Sequence, residues 1–207
     1  MDLTKEELSF LSEHGLSAHD VLDARGMSSD VREQKAKELG KILIIGNKAC
    51  TRAGHRLRTR KGHCFQCDTS KIAYQKRYSS DGYVYIAGSL RKRLIKIGGT
   101  GSIHNREASL NNDSYAGAYD WKILLYVEVK NFGQIEREVQ NLLAKYAVQI
   151  SYKKLVVSGF YKPQWASEVF ECSFGVAKNA LDQVLDISLI EVGQINTYPF
   201  SVDYEFQ

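Results

Sequence analysis

Apolar residues in the first part of the chain recur at helical spacing. A capping box at Thr4 and Glu7 precedes the first apolar positions, which is typical of the start of a helix. A second helix is predicted after Ser28 or Ser29, and the run "KILIIG" then predicts a short buried strand. We therefore expect residues 1–46 to form a small helical segment.

From Gly82 onward, the pattern changes to short apolar runs that are typical of strands. The runs "YVYIAG" and "LIKIGG" are rich in β-branched and aromatic residues, and the stretch "SLRKR" between them predicts a hairpin. The longer run "DWKILLYVEV" predicts a third strand, which is long enough to lie centrally in a sheet.

Helices are predicted between and after these strands. Ser102 is placed to cap a helix over "IHNREASL". In "FGQIEREVQNLLAKYA", residues such as Ile135 and Val139 recur at helical spacing, and "FGVAKNALDQVL" predicts another amphipathic helix. We therefore expect an α+β domain over residues 81–190, with a small, mostly antiparallel sheet flanked by helices, and an extended C-terminal tail over 191–207.

The composition is that of a folded soluble protein, because 43% of the 207 residues are hydrophobic and 11% are aromatic. No run of about 18 or more apolar residues occurs. The opening stretch "MDLTKEELSF" carries too much charge for the apolar part of a signal peptide. These features favour a cytoplasmic protein that does not enter a membrane.

Positive charge is concentrated in one segment. Between Lys48 and Arg77, nine Lys or Arg residues stand against one acid, Asp68, so this segment carries +8. The whole chain carries +4, and the other residues therefore sum to −4. A focused positive field suits a polyanion, which favours nucleic acid as the partner.

The same segment contains a cluster of cysteine and histidine. Cys50 is followed after four residues by His55, after eight more by Cys64 and after two more by Cys67. The Cys-x-x-Cys pair can turn two thiolates toward one ion, and the other two residues can complete a tetrahedron. Three thiolates and one imidazole form a closed site, so we predict a structural Zn²⁺ ion. His63 is the competing fourth ligand, but it adjoins Cys64, and adjacent residues seldom bind one ion comfortably.

We expect residues 47–80 to form a basic zinc-binding module. The ion would stabilise a segment that is too polar to fold alone. A rigid module would hold its basic side chains in a fixed array toward a DNA backbone. The predicted nucleic-acid contacts are Arg52, Arg56, Arg58, Arg60 and Lys61.

Four stretches from residue 82 onward carry a known set of motifs in order. They are "GYVY" with Tyr85, "IKIGG" with Lys96, "IHNRE" with Arg106 and "QIERE" with Glu136. This order resembles the GIY-YIG nuclease superfamily, over about residues 80–175. The lysine in place of the second signature tyrosine resembles the branch that contains certain restriction endonucleases and many phage and bacterial proteins. The resemblance implies a compact sheet flanked by helices, and phosphodiester hydrolysis with a single divalent ion.

The chemistry of these side chains agrees with that implication. Tyr85 would accept a proton from water, with the ammonium of Lys96 favouring its anionic form. Arg106 offers a planar fork for a phosphate, and Glu136 offers an oxygen ligand for Mg²⁺ or Mn²⁺. Tyr83 points to the same face of its strand as Tyr85, so either could meet the water. We take Tyr85 as the base and Tyr83 as an auxiliary.

Several of these residues also have an ordinary structural explanation. Lys96 could be an exposed edge-strand lysine that limits aggregation, and Gly98 and Gly99 could simply end a strand. Glu168 matches an acidic position near the end of the domain in this branch, where it could cap a helix or orient Arg106. We leave Glu168 outside the catalytic set.

Together these observations predict a metal-dependent DNA endonuclease whose zinc-stabilised basic module contributes to DNA binding, in restriction, phage biology or defence. A single active site would cut both strands through a homodimer or by sequential nicking. The alternative is a nucleic-acid-binding regulatory protein with a weak or inactive nuclease-like domain. RNA is kept as a second ligand, because aromatic side chains and basic loops also suit RNA.

Overall fold

The structure is a computed structural model, and it describes residues 1–46, 48–155, 160–188 and 192–206. The chain divides into two compact units, Met1–Ser79 and Ser80–Gln207. We call them the N-terminal unit and the C-terminal unit and describe each by itself. Within the described ranges, no helix combines the length and the apolar character needed to cross a membrane.

The N-terminal unit contains a small sheet with the strand order β1-β2-β3. The first two strands are parallel and the last two are antiparallel. Thr4 closes the predicted capping box of the first helix, and Ser28 caps the second. The described elements are α1 (Lys5–Glu13), β1 (Val21–Asp23), α2 (Ser29–Glu38), β2 (Leu43–Ile45), β3 (Leu57–Thr59) and α3 (Ser70–Ser79).

This sheet joins the two segments that the sequence divides at residue 46. Strand β2 comes from the "KILIIG" run, and β3 comes from the basic segment. Leu43 of β2, Leu57 of β3 and Phe65 are buried in the same core. Residues 1–46 and 47–80 therefore build one unit instead of two, because each strand is too short to bury its side chains without the other.

The C-terminal unit is built on a six-stranded sheet with the order β7-β8-β5-β4-β6-β9. All neighbouring strands in it are antiparallel. Its elements are β4 (Gly82–Ser89), β5 (Leu94–Thr100), α4 (Arg106–Asn112), β6 (Trp121–Val129), α5 (Phe132–Leu142), β7 (Ala147–Leu155), β8 (Tyr161–Phe170), α6 (Phe174–Ser188) and β9 (Val192–Thr197).

The two faces of this sheet support different cores. Successive side chains of a strand point to opposite faces. Val84 and Ile86 of β4 lie in a core that includes buried residues of α5 and α6. Tyr85 and Ala87 lie in a second core with Leu110 of α4. The candidate catalytic tyrosine therefore belongs to the face that α4 covers.

The α+β class and the mostly antiparallel sheet are confirmed. Strands β4, β5 and β6 and helices α5 and α6 coincide with the predicted runs. The predicted cap at Ser102 is wrong, because α4 begins at Arg106 after Asn105, whose side chain makes no capping bond. Ser102 instead lies in the loop after β5, where its N–H donates to Oγ1 of Thr100 at 3.2 Å.

The end of the chain differs from the predicted extended tail. Strand β9 pairs with β6 at the edge of the sheet, and Pro199–Tyr204 forms a 3-10 helix whose Tyr204 is buried. The β7–β8 hairpin was not predicted either. The predicted boundary at residue 190 lies outside the described residues.

Candidate active site and metal centre

The register of the β4–β5 hairpin places Tyr85 directly opposite Gly98. Residues that face each other in this way share one face of the sheet. A Cβ atom on Gly98 would lie 2.3 Å from the hydroxyl oxygen of Tyr85, which is closer than any real contact. The glycine is therefore required for the phenol to lie across β5, and it does more than end a strand.

Arg106, the first residue of α4, meets this phenol. Its Nε donates a hydrogen bond of 2.7 Å to the hydroxyl of Tyr85. Burial opposes the charge of the guanidinium, but Tyr85, Glu168 and Glu136 outweigh this effect and raise the pKa of Arg106. Helix α4 therefore places the charged guanidinium of Arg106 against the phenol of Tyr85.

Lys96 lies opposite Ala87, on the same face as Tyr85, and is completely buried. Its Nζ lies 2.6 Å from Oε2 of Glu168 and 4.6 Å from the ring centroid of Tyr115. Burial disfavours the charged form, yet the charges of Tyr85, Tyr115 and Glu168 together raise the pKa of Lys96. The side chain is therefore held as an ammonium inside the domain.

Glu168 reaches this lysine because β8 is irregular. Val148 of β7 pairs with Val169 and Ile150 pairs with Ala166, so β8 has one more residue than β7 between these pairs. Such a bulge changes the direction of the side chains in it. Glu168 lies within the bulge and bonds Lys96. The prediction left Glu168 outside the candidate set, and Tyr115 was not considered.

Glu136 of α5 approaches β5 from the other face of the sheet. Its side chain is nearly buried, and a Cβ atom on Gly99 would lie 2.8 Å from its Oε2. Strand β8 pairs with β5 only at Ile95 and Lys96, so the later part of β5 lies outside this ladder. Two adjacent glycines there let groups from both faces come close to the same stretch of backbone. The structure thus brings Glu136 to the strand that carries Lys96.

Tyr83 lies on the same face as Tyr85 but has different contacts. Its ring packs edge-on against Tyr126, with the centroids 6.0 Å apart. The hydroxyl of Thr100, opposite Tyr83, donates to the carbonyl oxygen of Ser102 at 2.8 Å. Arg106 therefore bonds Tyr85, while Tyr83 stands beside the site with an aromatic neighbour.

In the N-terminal unit, the ligand atoms of Cys50, His55, Cys64 and Cys67 all lie within 4.8 Å of one another. The two sulfur atoms of Cys50 and Cys67 are 3.5 Å apart. Nδ1 of His55 lies 3.6 Å from the sulfur of Cys64 and 3.5 Å from that of Cys67. A tetrahedral site with bonds of about 2.0–2.3 Å separates its ligands by about 3.5–3.8 Å. The cluster could therefore hold a metal ion such as zinc.

Local turns bring these ligands together. Gly54 has a φ of +69°, in the left-handed region, and its N–H donates to the carbonyl oxygen of Cys50 at 2.8 Å. The N–H of Cys50 donates in turn to the carbonyl oxygen of His55 at 2.7 Å. His63 is not part of the cluster in the described chain; its N–H donates to Oγ1 of Thr59.

The thiols of the cluster differ in acidity. The backbone N–H groups of Arg52 and Ala53 lower the pKa of Cys50 to about 7. Hydrogen bonding with Cys50 raises the pKa of Cys67 to about 11. A bound metal ion would replace both protons, because the thiolate is the ligand.

The residues predicted to contact nucleic acid differ in the bonds that they form within the N-terminal unit and in their burial. Arg56 forms an ion pair with Glu7, with two hydrogen bonds of 2.8 and 2.5 Å. Arg60 is only 5% exposed, and its Nε donates to the carbonyl oxygen of Lys41 at 2.7 Å. Burial also lowers the pKa of Arg60. Arg60 therefore has a structural contact within the unit, and its contact with nucleic acid stays a prediction. Arg52 and Lys61 are exposed, whereas Arg56 and Arg58 are both half-buried.

The C-terminal unit is thus an α+β domain with a tyrosine, an arginine and a buried lysine paired with a half-buried glutamate, all gathered at the middle of its sheet. The family model of the T5orf172 domain matches residues 82–186, slightly more than half of the 207 residues. The chain belongs to the T5orf172 domain family, and this family indicates a nucleic-acid-binding or nuclease-like function. Comparisons with curated proteins and with solved structures find no match.

Proposed function

We propose that the C-terminal unit is a metal-dependent endonuclease that hydrolyses phosphodiester bonds in DNA, in the way that the GIY-YIG resemblance implies. The observation that carries the proposal is the bond from Arg106 to the hydroxyl of Tyr85, beside the ion pair of the buried Lys96 with Glu168. These side chains come from three strands and one helix. Such convergence of titratable groups is more typical of a reaction site than of ordinary packing.

Tyr85 is the group that would take a proton from the attacking water. Arg106 stabilises negative charge at the phenol oxygen through its hydrogen bond, and Lys96 does so through its charge. Glu168 acts through Lys96 by holding the ammonium in place, so we regard it as a positioning residue.

Arg106 is the candidate phosphate contact. Its Nε is engaged by Tyr85, and a guanidinium presents further N–H donors in the same plane. The side chain can therefore bind a phosphate oxygen and the phenol together. This places the scissile group within reach of the base and offsets the charge that develops on the phosphate.

Glu136 would hold Mg²⁺ or Mn²⁺. Its carboxylate lies against the backbone of β5 at Gly99. Apart from the cysteine cluster, the described residues include no group of three or more such ligands. A single carboxylate fits Mg²⁺, which keeps several water ligands and takes oxygens from substrate phosphates. The bound ion would stabilise charge on the leaving oxygen.

For the N-terminal unit, we propose zinc as the occupant of the Cys50, His55, Cys64 and Cys67 cluster, and DNA as the partner of the basic surface. The ligand separations favour a closed tetrahedral site, which has no open position for substrate. The role of the ion is therefore structural. Arg52 and Lys61 are the exposed cations best placed to contact phosphates.

One observation favours the alternative of a binding protein with little cleavage. Tyr85 and Lys96 are both 0% exposed. A base must lie within hydrogen-bond reach of the water that it activates. In the alternative, the buried cluster stabilises the fold, and the domain binds nucleic acid without cutting it.

Cleavage of supercoiled plasmid DNA by the full chain in Mg²⁺ tests the proposal. We expect nicked or linear products from the wild-type protein. Glu136→Gln should reduce the rate by at least about 100-fold, because the metal ligand is lost while the side-chain shape is kept. Binding of the same DNA, measured by fluorescence anisotropy, should be unchanged in this variant.

The matched control is Glu138→Gln on the same helix, whose wild-type carboxylate accepts a bond from Gln134. This control should cut at the wild-type rate. A matched RNA substrate separates the two nucleic acids. The assignment is wrong if Glu136→Gln cuts as fast as the wild type. Binding of DNA without cutting of either substrate by the wild-type protein would establish the alternative.

A further inference from the structure

A basic cavity lies within the N-terminal unit. None of the four cluster ligands is among its described lining residues, although Ala49 and Thr51 flank Cys50. The volume of the cavity is about 540 Å³. The walls come from the loop between β1 and α2, from α2, from the segment after β2 and from the turn after β3. Four cationic side chains line the cavity, and no aspartate or glutamate is among its described lining residues. The cationic side chains are Arg32, Lys48, Arg58 and Lys61.

Two of these cations are fixed without being neutralised. Arg58 donates to the carbonyl oxygens of Gly62 at 3.0 Å and of Lys48 at 2.9 Å, both of which are uncharged acceptors. Arg32 approaches Gly62 so closely that an added Cβ atom would lie 3.0 Å from its Nη2. The Nε atom of Arg32 is buried and has no hydrogen-bond partner in the described part of the chain.

Such an arrangement is unfavourable without an anion. Four like charges around one cavity repel one another, and a buried N–H donor without a partner loses the hydrogen bond that water would supply. A phosphate supplies negative charge and several acceptor oxygens, and guanidinium and ammonium groups are its usual ligands. Met27 and Ile44 also line the cavity and offer apolar contact for a sugar or a base.

We propose that this cavity binds a phosphate group of a nucleotide within the nucleic-acid substrate. Arg32, Lys48 and Lys61 contact the phosphate, and Arg58 holds the β3 turn that forms the wall. The proposal rests on nucleic acid being the substrate of the chain, but it does not require cleavage. The proposal gives helix α2 a direct role in binding, whereas the sequence predicts only that this segment is helical.

The test measures binding by the zinc-loaded full chain without added Mg²⁺. Two oligonucleotides of one sequence are compared, one with a 5′-phosphate and one with a 5′-hydroxyl, together with the thermal shift caused by inorganic phosphate. Arg32→Gln and Lys61→Gln should each weaken oligonucleotide binding about tenfold and reduce the slope of log affinity against log salt by about 1. Both variants should also lose the thermal shift.

The matched control is Lys35→Gln, which removes the same charge as Lys61→Gln from an exposed position of α2 outside the cavity. It should leave affinity and thermal shift unchanged. Equal binding of the two oligonucleotides supports an internal phosphodiester as the ligand, and loss of binding without the 5′-phosphate supports a terminal one.

The proposal is overturned if both cavity variants bind as the wild type does, or if Lys35→Gln loses as much affinity as Lys61→Gln. The latter result would mean that only the overall charge matters. The binding is measured without Mg²⁺ and does not require cleavage. Failure of the cavity is therefore distinguishable from failure of the nuclease site.

Discussion

At the scale of single residues, the buried charge of Lys96 is the feature that most needs an explanation. The side chain is 0% exposed and pairs with Glu168. A buried ion pair rarely stabilises a protein more than well-packed apolar residues of the same size would. The explanation as an exposed edge-strand lysine is wrong, because Lys96 lies between β4 and β8 in the sheet. A functional role is the better interpretation of this pair.

Replacing Glu168 tests how far Lys96 depends on its partner. We expect Glu168→Gln to lower the free energy of unfolding by about 1–3 kcal/mol, because a buried ammonium loses its carboxylate. This loss is smaller than for a fully buried ion pair, because the side chain of Glu168 is 39% exposed. Thermal unfolding at pH 7 measures the change. Glu171→Gln, at an exposed acid outside β8, should have almost no effect. An equal loss of unfolding free energy in both variants would show that the ion pair of Lys96 and Glu168 does not stabilise the protein.

The same pair predicts a pH dependence. The folded state raises the pKa of Lys96 above the ordinary value of 10.5. Its contribution to stability is therefore complete below pH 10.5 and is lost as the pH rises through the folded-state pKa. The difference in unfolding free energy between the wild type and Glu168→Gln should be constant from pH 6 to about 9 and should shrink at higher pH. A difference that grows above pH 10 would contradict the assignment.

The choice between two tyrosines is also decided at this scale. Tyr85 accepts the bond from Arg106, whereas Tyr83 packs against Tyr126. We expect Tyr85→Phe to reduce plasmid cleavage by about 10²–10⁴-fold, the usual contribution of a general base. Tyr83→Phe should cut at nearly the wild-type rate. The reverse order of effects, measured under identical conditions, would assign the base to Tyr83.

At the scale of elements, the two glycines of β5 set the geometry of the site. Gly98 makes room for the phenol of Tyr85 on one face, and Gly99 makes room for Glu136 on the other. The strand therefore separates two functional groups by little more than the thickness of its backbone. This explains why both glycines lie in β5 itself, two and three residues after Lys96.

A methyl group at Gly98 should disturb this arrangement. The new Cβ of Gly98→Ala would lie 2.3 Å from the hydroxyl oxygen of Tyr85, so the ring or the strand must move. We expect a loss of about 1–3 kcal/mol in unfolding free energy, as for other overpacked cores, together with loss of cleavage. Gly101→Ala has open space around it and is the matched control. A Gly98→Ala variant as stable and active as the control would contradict this geometry.

The elements that the sequence predicted are those with strong periodicity. Strands β4, β5 and β6 and helix α5 carry apolar residues that the two cores bury. Strand β9 is mostly exposed, so its alternation is weak. Strand β7 does alternate, because Val148, Ile150 and Tyr152 pack against the second core, and this pattern was missed. The position of Glu168 could not be predicted, because it depends on a bulge set by the pairing of β8 with β7. The sequence showed only the match of Glu168 to an acidic position near the end of the domain, and not its contact with Lys96.

At the scale of the whole molecule, the two units differ in how they are stabilised. The C-terminal unit buries apolar side chains on both faces of a six-stranded sheet. The N-terminal unit has strands of three residues and two small cores. Small cores of this kind usually need a metal or a disulfide. The cysteine cluster could hold such a metal ion, and its four residues could be predicted to come together because they lie close in the sequence.

Removal of the metal should therefore affect only the N-terminal unit. We expect about one zinc per chain by elemental analysis, and a strong chelator should reduce the far-ultraviolet circular dichroism, because zinc binding contributes much of the folding energy of such modules. The two tryptophans, Trp121 and Trp165, both lie in the C-terminal unit. Their fluorescence reports on that unit alone and should not change.

Two cysteine variants give the matched comparison. Cys64→Ser removes a ligand of the cluster and should abolish stoichiometric zinc binding. Cys172→Ser changes a buried thiol of the C-terminal unit, where burial raises the pKa to about 12, and should keep the full zinc content. Protein purified without zinc, or a change in tryptophan fluorescence that follows zinc removal, would contradict the assignment of a structural ion that acts on one unit. Full zinc content in Cys172→Ser with none in Cys64→Ser would place the ion in the cluster, because both variants lose one thiol and differ only in which unit it occupies.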